Sequence, residues 1–253
     1  MRSRDIPYSV AGIVLFVGAW SLLATSGRIN PIILPGPGDV LRTFADLTQH
    51  RFAGYTIQVH LASSLLRFLY GFVLAAVIGV PLGLAMGWFR WLDYVVSPLF
   101  EAVRFVAPIA WVPFAALWFG TGIGGPVLII FAGAFPPCLI NAYRGARYVD
   151  RNLIEAAQTL GATDIRIIFQ VLLPASAPSI VAGLRVSAGL GWQSLIGAEL
   201  IVVSAGIGYL MVQGQSNLNT AAVMSGMIAI GITGIAIDVA LRTLERFVAR
   251  GRT

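Results

Sequence analysis

Apolar runs long enough, or nearly so, to cross a bilayer occupy 8–24, 61–88, 95–119, 126–143, 178–203 and 221–241, with short polar segments between them. A helix needs about 20 mostly apolar residues to span the hydrocarbon core. The pattern therefore predicts an all-α integral membrane protein with six transmembrane helices. Gly79, Gly83 and Gly87 repeat every four residues in the second run and predict a flat face for close approach of another helix. Pro81 in the same run predicts a kink. Pro98, Pro108 and Pro113 predict a bent or broken third span, and Pro136-Pro137 a break in the fourth. Pro178 is placed to open the fifth at its first helical position.

The polar segments carry their own signals. Arg2 and Arg4 precede the first run, and Ala24-Thr25-Ser26 imitates a cleavage site, but the long run and the spans that follow favour a retained signal-anchor helix. Leu34-Pro35-Gly36-Pro37-Gly38-Asp39 is a turn cluster, after which Val40, Phe44 and Leu47 share one face of a helix expected at the membrane interface. A short turn is expected at 89–93. The glycine-rich 120–125 lacks the strand before it and the Lys-Ser/Thr after it that a phosphate cradle needs, and reads as an external turn.

The polar interruption at 148–174, flanked by apolar runs on both sides, reads YVDRNLIEAAQTLGATDIRIIFQVLLP. Asp150 is placed to cap a first helix over 151–160 by accepting backbone N–H bonds that its first turn leaves unpaired. Gly161 stands where a helix ends in the left-handed conformation, and Thr163 is placed to cap a second helix ending at Pro174. Ile154, Ala157 and Leu160 share one face, with Glu155 and Gln158 toward another. Such a helix pair, hung between two spans, is built to meet a partner outside the lipid.

Glu155-Ala156-Ala157, three residues, Gly161, nine residues, then Val171-Leu172-Leu173-Pro174 resemble the EAA loop of ABC-importer permeases, with Val171 departing from the usual Ile. The resemblance implies a coupling helix that docks into a cleft of a separate ATPase subunit, with Glu155, Ala156, Ala157, Gly161 and Pro174 as the coupling residues. It extends from Leu34 through the sixth span. Ala110-Trp111-Val112-Pro113, Leu117-Trp118-Phe119-Gly120, Gly191-Trp192, Ala198-Glu199-Leu200 and Gly206-Ile207-Gly208-Tyr209 are similar to the taurine, alkanesulfonate, nitrate and bicarbonate permease subgroup.

Composition agrees with a membrane protein. Of 253 residues 57% are hydrophobic and 11% charged, against about a quarter charged in soluble domains. The net charge of +6 does not point to nucleic acid, because the basic residues cluster between the apolar runs. With the amino terminus inside, Arg2, Arg4, Arg90, Arg144, Arg147, Arg151, Arg166, Arg242, Arg246, Arg250 and Arg252 are cytoplasmic, and Arg28, Arg42 and Arg51 external. That bias puts both termini and the 148–174 loop in the cytoplasm.

All 17 basic residues are Arg, so a P-loop lysine is excluded and any ATP must be hydrolysed by a partner. No catalytic set and no metal-ligand cluster is present in the sequence. His50 and His60 lack companions at ligand spacing and read as interfacial, and Cys138 as a buried packing residue.

Ionisable groups inside a span are costly and mark function by default. Glu199 falls near the outer end of the fifth span. Arg185 near its inner end is expected to snorkel. Glu101 with Arg104, and Asp238 with Arg242, are spaced to pair. Gly189-Leu190-Gly191-Trp192-Gln193-Ser194 with Gly197 either lines a pore or glues helices together. Trp111 is open to the same two readings. The candidate path is Trp111, Trp192, Gln193, Ser194 and Glu199.

The expected fold is the type I ABC importer permease: a signal-anchor span and external segment over 1–60, a permease core over 61–247 and a cytoplasmic tail over 248–253. The resemblance implies a bacterial inner-membrane protein working with a second copy of itself, two ATP-binding ATPase subunits and an extracytoplasmic substrate-binding protein. ATP and Mg would sit on the partner, with no cofactor on this chain. The expected cargo is a small anionic solute. An ion-coupled carrier working without an ATPase is the alternative.

Overall fold

The computed structural model describes residues 6–120, 122–200 and 203–250. Arg2, Arg4 and Arg252 from the charge bias lie outside the described residues, as do Thr121 of the glycine turn and Ile201 and Val202 at the end of the fifth run. The described chain is helical throughout, in the order α1 (Ile6–Thr25), α2 (Pro37–Gln49), α3 (Ile57–Trp88), α4 (Arg90–Val103), a 3-10 turn (Pro108–Trp111), α5 (Val112–Phe119), α6 (Gly124–Arg147), α7 (Arg151–Thr159), α8 (Asp164–Ile167), a π segment (Ile168–Leu172), α9 (Leu173–Glu199), α10 (Ile207–Ser216) and α11 (Thr220–Arg250).

Four stretches are long and apolar enough to cross a bilayer: Ile57–Trp88, Gly124–Arg147, Asp164–Glu199 and Thr220–Phe247. Arg90–Val103 and Pro108–Phe119 make a fifth as a pair bent by 86°, the break expected from Pro98, Pro108 and Pro113. The first run forms α1, 20 residues or about 30 Å long, whose described apolar part Val10–Thr25 is shorter than the others.

Three proline expectations are corrected. Pro136 and Pro137 lie inside a helix that continues unbroken from Gly124 to Arg147. The helix begun at Asp164 does not stop at Pro174, nor does the fifth span open at Pro178. Immediately before Pro174 the backbone widens into a π turn, with Leu173 N–H donating to the Ile168 carbonyl. A proline removes one helical N–H and crowds the carbonyl four residues back, and a widened turn accommodates both. The expected turn at 89–93 shrinks to Phe89, because α4 starts at Arg90.

The chain divides into two compact units. The first holds the chain up to Ala62 together with Ala205–Gly231. Its core is Leu47, Ile57, Ile207, Leu210, Ala222 and Ala229, with Phe44 packed against it. Val40 and Leu47 of α2 are buried, as their shared face predicts. His60 is not interfacial: it is fully buried. Gly206 N–H donates to its Nδ1 (3.0 Å), so Nε2 carries the proton and donates to the Phe52 carbonyl (3.0 Å). The neutral ring thus ties the loop before α3 to the start of α10, with Tyr55 edge-on to it at 5.7 Å.

The second unit holds Ser63–Ser204 and the chain from Ile232. Its centre is α6 against α3 and α9. A Cβ on Gly79 would lie 3.0 Å from that of Cys138, and one on Gly83 would lie 2.9 Å from Ala142 Cβ and from Tyr143 N. On the other side, Gly133 leaves room for Ser194, and Gly183 for Asn141. Small residues let these backbones meet where lipid offers no hydrophobic drive.

Candidate coupling segment and membrane clefts

The segment after α6 folds by the caps written in its sequence. Asp150 Oδ1 accepts the Asn152 N–H at 3.0 Å and starts α7. At its end, Gly161 N–H donates to Gln158 O (2.9 Å) and Ala162 N–H to Ala157 O (3.0 Å), a Schellman closure. Gly161 takes φ +76, the left-handed region, with open space where a Cβ would stand. Thr163 occupies the cap position of α8, but its side chain makes no capping bond.

Glu155 and Ala156 are exposed, whereas Ile154 and Ala157 are half-buried. Leu160, expected to share their face, is 88% exposed instead. Tyr148, Leu153, Ile165 and Phe169 are exposed too, and Pro174 is exposed in the first turn of α9. A cleft of about 540 Å³ opens among Tyr148, Asp150, Leu153, Gln170 and Val171. Beneath this surface Leu172 is buried with Leu84, Ala142, Ala146 and Ile180, and Val149, Ile168 and Leu173 pack on them. The residues that flank α7, Val149 before it and Ile168 to Leu173 after it, are thus packed onto α3, α6 and α9.

Because Gly161 meets no neighbour, its replacement acts through the backbone alone. Gly161→Ala should cost about 1 kcal/mol and Gly161→Val more, while Gly161→Asn is largely spared, since Asn tolerates the left-handed region. The expected order of thermal stability of the detergent-solubilised protein is wild type, Asn, Ala, Val, with unchanged membrane insertion. An Asn variant as destabilised as Val would sink this account.

The membrane-embedded polar residues separate into two groups. Glu199 is fully buried and accepts from Ser64 Oγ (2.8 Å) and Arg67 Nη1 (2.9 Å). It is an internal ion-pair partner and lines neither cleft described below. Nothing local in the sequence pairs it with Arg67, 132 positions away. Trp192 is also buried, edge-on to Phe68 at 5.5 Å, and its ring limits Gly234. Arg185 is ion-paired: its Nε donates to Asp238 Oδ1 (2.6 Å) and Nη1 to Glu245 (3.4 Å), while Arg242 holds the other Asp238 oxygen (2.8 Å). Glu101 pairs with Arg104 (2.7 Å), as their spacing predicts.

Gln193 is exposed and Ser194 half-buried, and each borders open space. Gln193 lines two clefts. One, of about 450 Å³, also holds Arg185, Gly189, Asp238 and Glu245. The other, of about 360 Å³, holds Arg104, Gly133, Ser194 and Gly197. Trp111 stands apart from both, half-buried on an apolar cavity of about 310 Å³ with Phe100, Leu128, Phe131 and Phe135.

Several apolar spans joined to a capped polar helix with exposed apolar side chains define a multi-pass membrane protein. Residues 79–253 match the family described as the binding-protein-dependent transport system inner membrane component. The chain belongs to that family of ABC transporter permeases. It is 37% identical to a putative ABC transporter permease protein of Methanocaldococcus jannaschii, over 97% of this chain and 92% of the relative. It is 33% identical to the taurine transport system permease protein of Escherichia coli (96% and 89%). With the bicarbonate transport system permease protein of Synechococcus elongatus it shares 30% (95% and 88%). Among solved structures, the inward-facing methionine ABC transporter MetNI shares the fold with a TM-score of 0.63 at 22% identity, covering 76% of this chain and 94% of that one.

Proposed function

We propose that this chain is the transmembrane subunit of an ATP-driven importer for a small anionic solute delivered by a substrate-binding protein. The observation that carries the reading is α7, capped at both ends with Glu155, Ala156 and its C-cap Leu160 exposed, followed by a segment packed onto the spans through Leu172. Two copies would form the path, with two ATPase subunits on the cytoplasmic side holding ATP and Mg, and both termini on that side of a bacterial inner membrane. Closure of the ATPases would push α7, and the packed core would pass the shift to α6 and α9, opening the path to one side and then the other. Gln193 and Ser194 border that path, with Trp192 and Glu199 as the buried frame behind them. Relatives named for taurine and bicarbonate transport favour a sulfonate or carboxylate cargo.

The test is ATP hydrolysis by the complex of this chain with its ATPase and binding protein in lipid, with taurine, ethanesulfonate, nitrate and bicarbonate offered in turn. One solute should stimulate hydrolysis, and Glu155→Arg, which reverses the charge on the exposed α7 surface, should remove that stimulation. Uptake by this chain alone, driven by an ion gradient, would overturn the reading.

A further inference from the structure

The two clefts bordered by Gln193 differ in charge. In one, Arg185 is outnumbered by Asp238 and Glu245, so its formal lining charge is negative. In the other, Arg104 is the single charged lining residue. Glu101 is not part of that lining, and it holds the guanidinium by Nε alone at 2.7 Å. The N–H donors on the two terminal nitrogens are the groups a guanidinium offers to an oxyanion. Gln193 supplies an amide to the same space, while the Ser194 hydroxyl lining it donates to the Leu190 carbonyl (2.7 Å) and has to turn to donate to an anion.

The backbone there is also unusual. Residues 104–107 are non-helical, between the two arms bent by 86°. Irregular backbone within a membrane span persists only where it is buried in protein or lines a water-filled cavity. Gly133 and Gly197 also line the cleft, Gly133 leaving room for the Ser194 side chain.

We infer that the cleft of Arg104, Gln193 and Ser194 is an anion-binding site that takes the sulfonate or carboxylate group of a small solute, with Arg104 as the charge that selects it. The inference rests on the transport reading for its place in a cycle, but its chemistry is testable without transport. Glu101 positions the guanidinium. In the neighbouring cleft Arg185 is taken up by Asp238 and Glu245, so that cleft offers the same group less.

The test uses the full chain, assembled with its partners, in phosphatidylcholine vesicles. Cys138→Ala removes the single native thiol, and Gly197→Cys places one in the cleft, where a Cβ meets Ile109 at an ordinary 3.4 Å. The thiolate attacks a methanethiosulfonate reagent, forming a mixed disulfide and releasing methanesulfinate. Rates are compared for the anionic sulfonatoethyl and cationic trimethylammonioethyl reagents, each normalised to free cysteine. Preference for the anionic reagent should be on the order of tenfold, as charged clefts concentrate counter-ions. It should persist in Arg104→Lys, vanish in Arg104→Gln and rise in Glu101→Gln. A ratio near unity, or one insensitive to both Arg104→Gln and Glu101→Gln, overturns the site; the Glu101 variant decides if Arg104→Gln does not assemble.

Added ethanesulfonate should slow the anionic reagent. Protection by phosphatidylglycerol in the vesicle but not by ethanesulfonate would assign the cleft to a lipid headgroup and overturn the solute site. Loss of ATP-driven uptake with the preference intact counts against the transport reading alone. Normal uptake without the preference counts against the anion site alone.

Discussion

Glu199→Ala is expected to destabilise the protein by about 3–5 kcal/mol, because it leaves the Arg67 guanidinium without its buried counter-charge. Glu199 is fully buried, and the Arg67 side chain is only 13% exposed. Water cannot replace the carboxylate at such a site, and Ser64 Oγ loses its acceptor as well. In a chain of this size the loss corresponds to roughly 10 °C in Tm, readable by thermal unfolding of the detergent-solubilised protein. The double variant Arg67→Met with Glu199→Leu should recover much of it, since removing both charges removes the desolvation cost. A Glu199→Ala protein as stable as wild type would show that the pair contributes nothing. This variant also separates frame from path: with Glu199 lining neither cleft, uptake per folded molecule should fall far less than the folded yield.

Gly83→Leu should have the second large effect. The Leu139 carbonyl, Ala142 Cβ and Tyr143 N crowd the position a Cβ would take, and two of the three are backbone atoms that cannot rotate away. Even Gly83→Ala overpacks this contact, at about 1–3 kcal/mol. A leucine has no room unless α3 and α6 separate, so folded protein recovered from membranes should drop to a small fraction of wild type. Gly231→Leu is the matched control, because nothing stands within 4 Å of a Cβ there. Equal yields from the two leucine variants would show that the close approach of α3 to α6 is not required.

Features set by local chemistry were legible in the sequence. The caps of α7 at Asp150 and Gly161 depend on residues within a few positions of one another, and both form as their spacing indicates. The four-residue glycine ladder of α3 marks its packing face because helical geometry repeats it on one side. The break in the third span follows from its prolines, and the pairing of Glu101 with Arg104 from one helical turn of separation. Local rules misjudged Pro136, Pro137 and Pro174, because neighbouring helices and a widened turn can carry a helix past a proline.

Partners far apart in the chain were decided by tertiary structure. An apolar span with one Glu or one Arg reads alike whether that group faces lipid, a cleft or a counter-ion. Only the packing of α9 against α3 puts Glu199 on Arg67, and only the second unit's fold puts Arg185 on Asp238, 53 positions away. His60 likewise looked interfacial until Gly206 met it from 146 positions along the chain. The same holds for the cleft, where Arg104 follows α4 and Gln193 lies in α9, 89 positions away, and only the fold brings them to one space. The sequence by itself determined an all-helical membrane protein with a capped polar segment between two spans, since hydrophobic period and capping are local, and the EAA resemblance in that segment pointed to the permease family. Which buried charges are frame and which face open space was settled by tertiary structure, because counter-ions and cavities are made by residues that meet only when the chain folds.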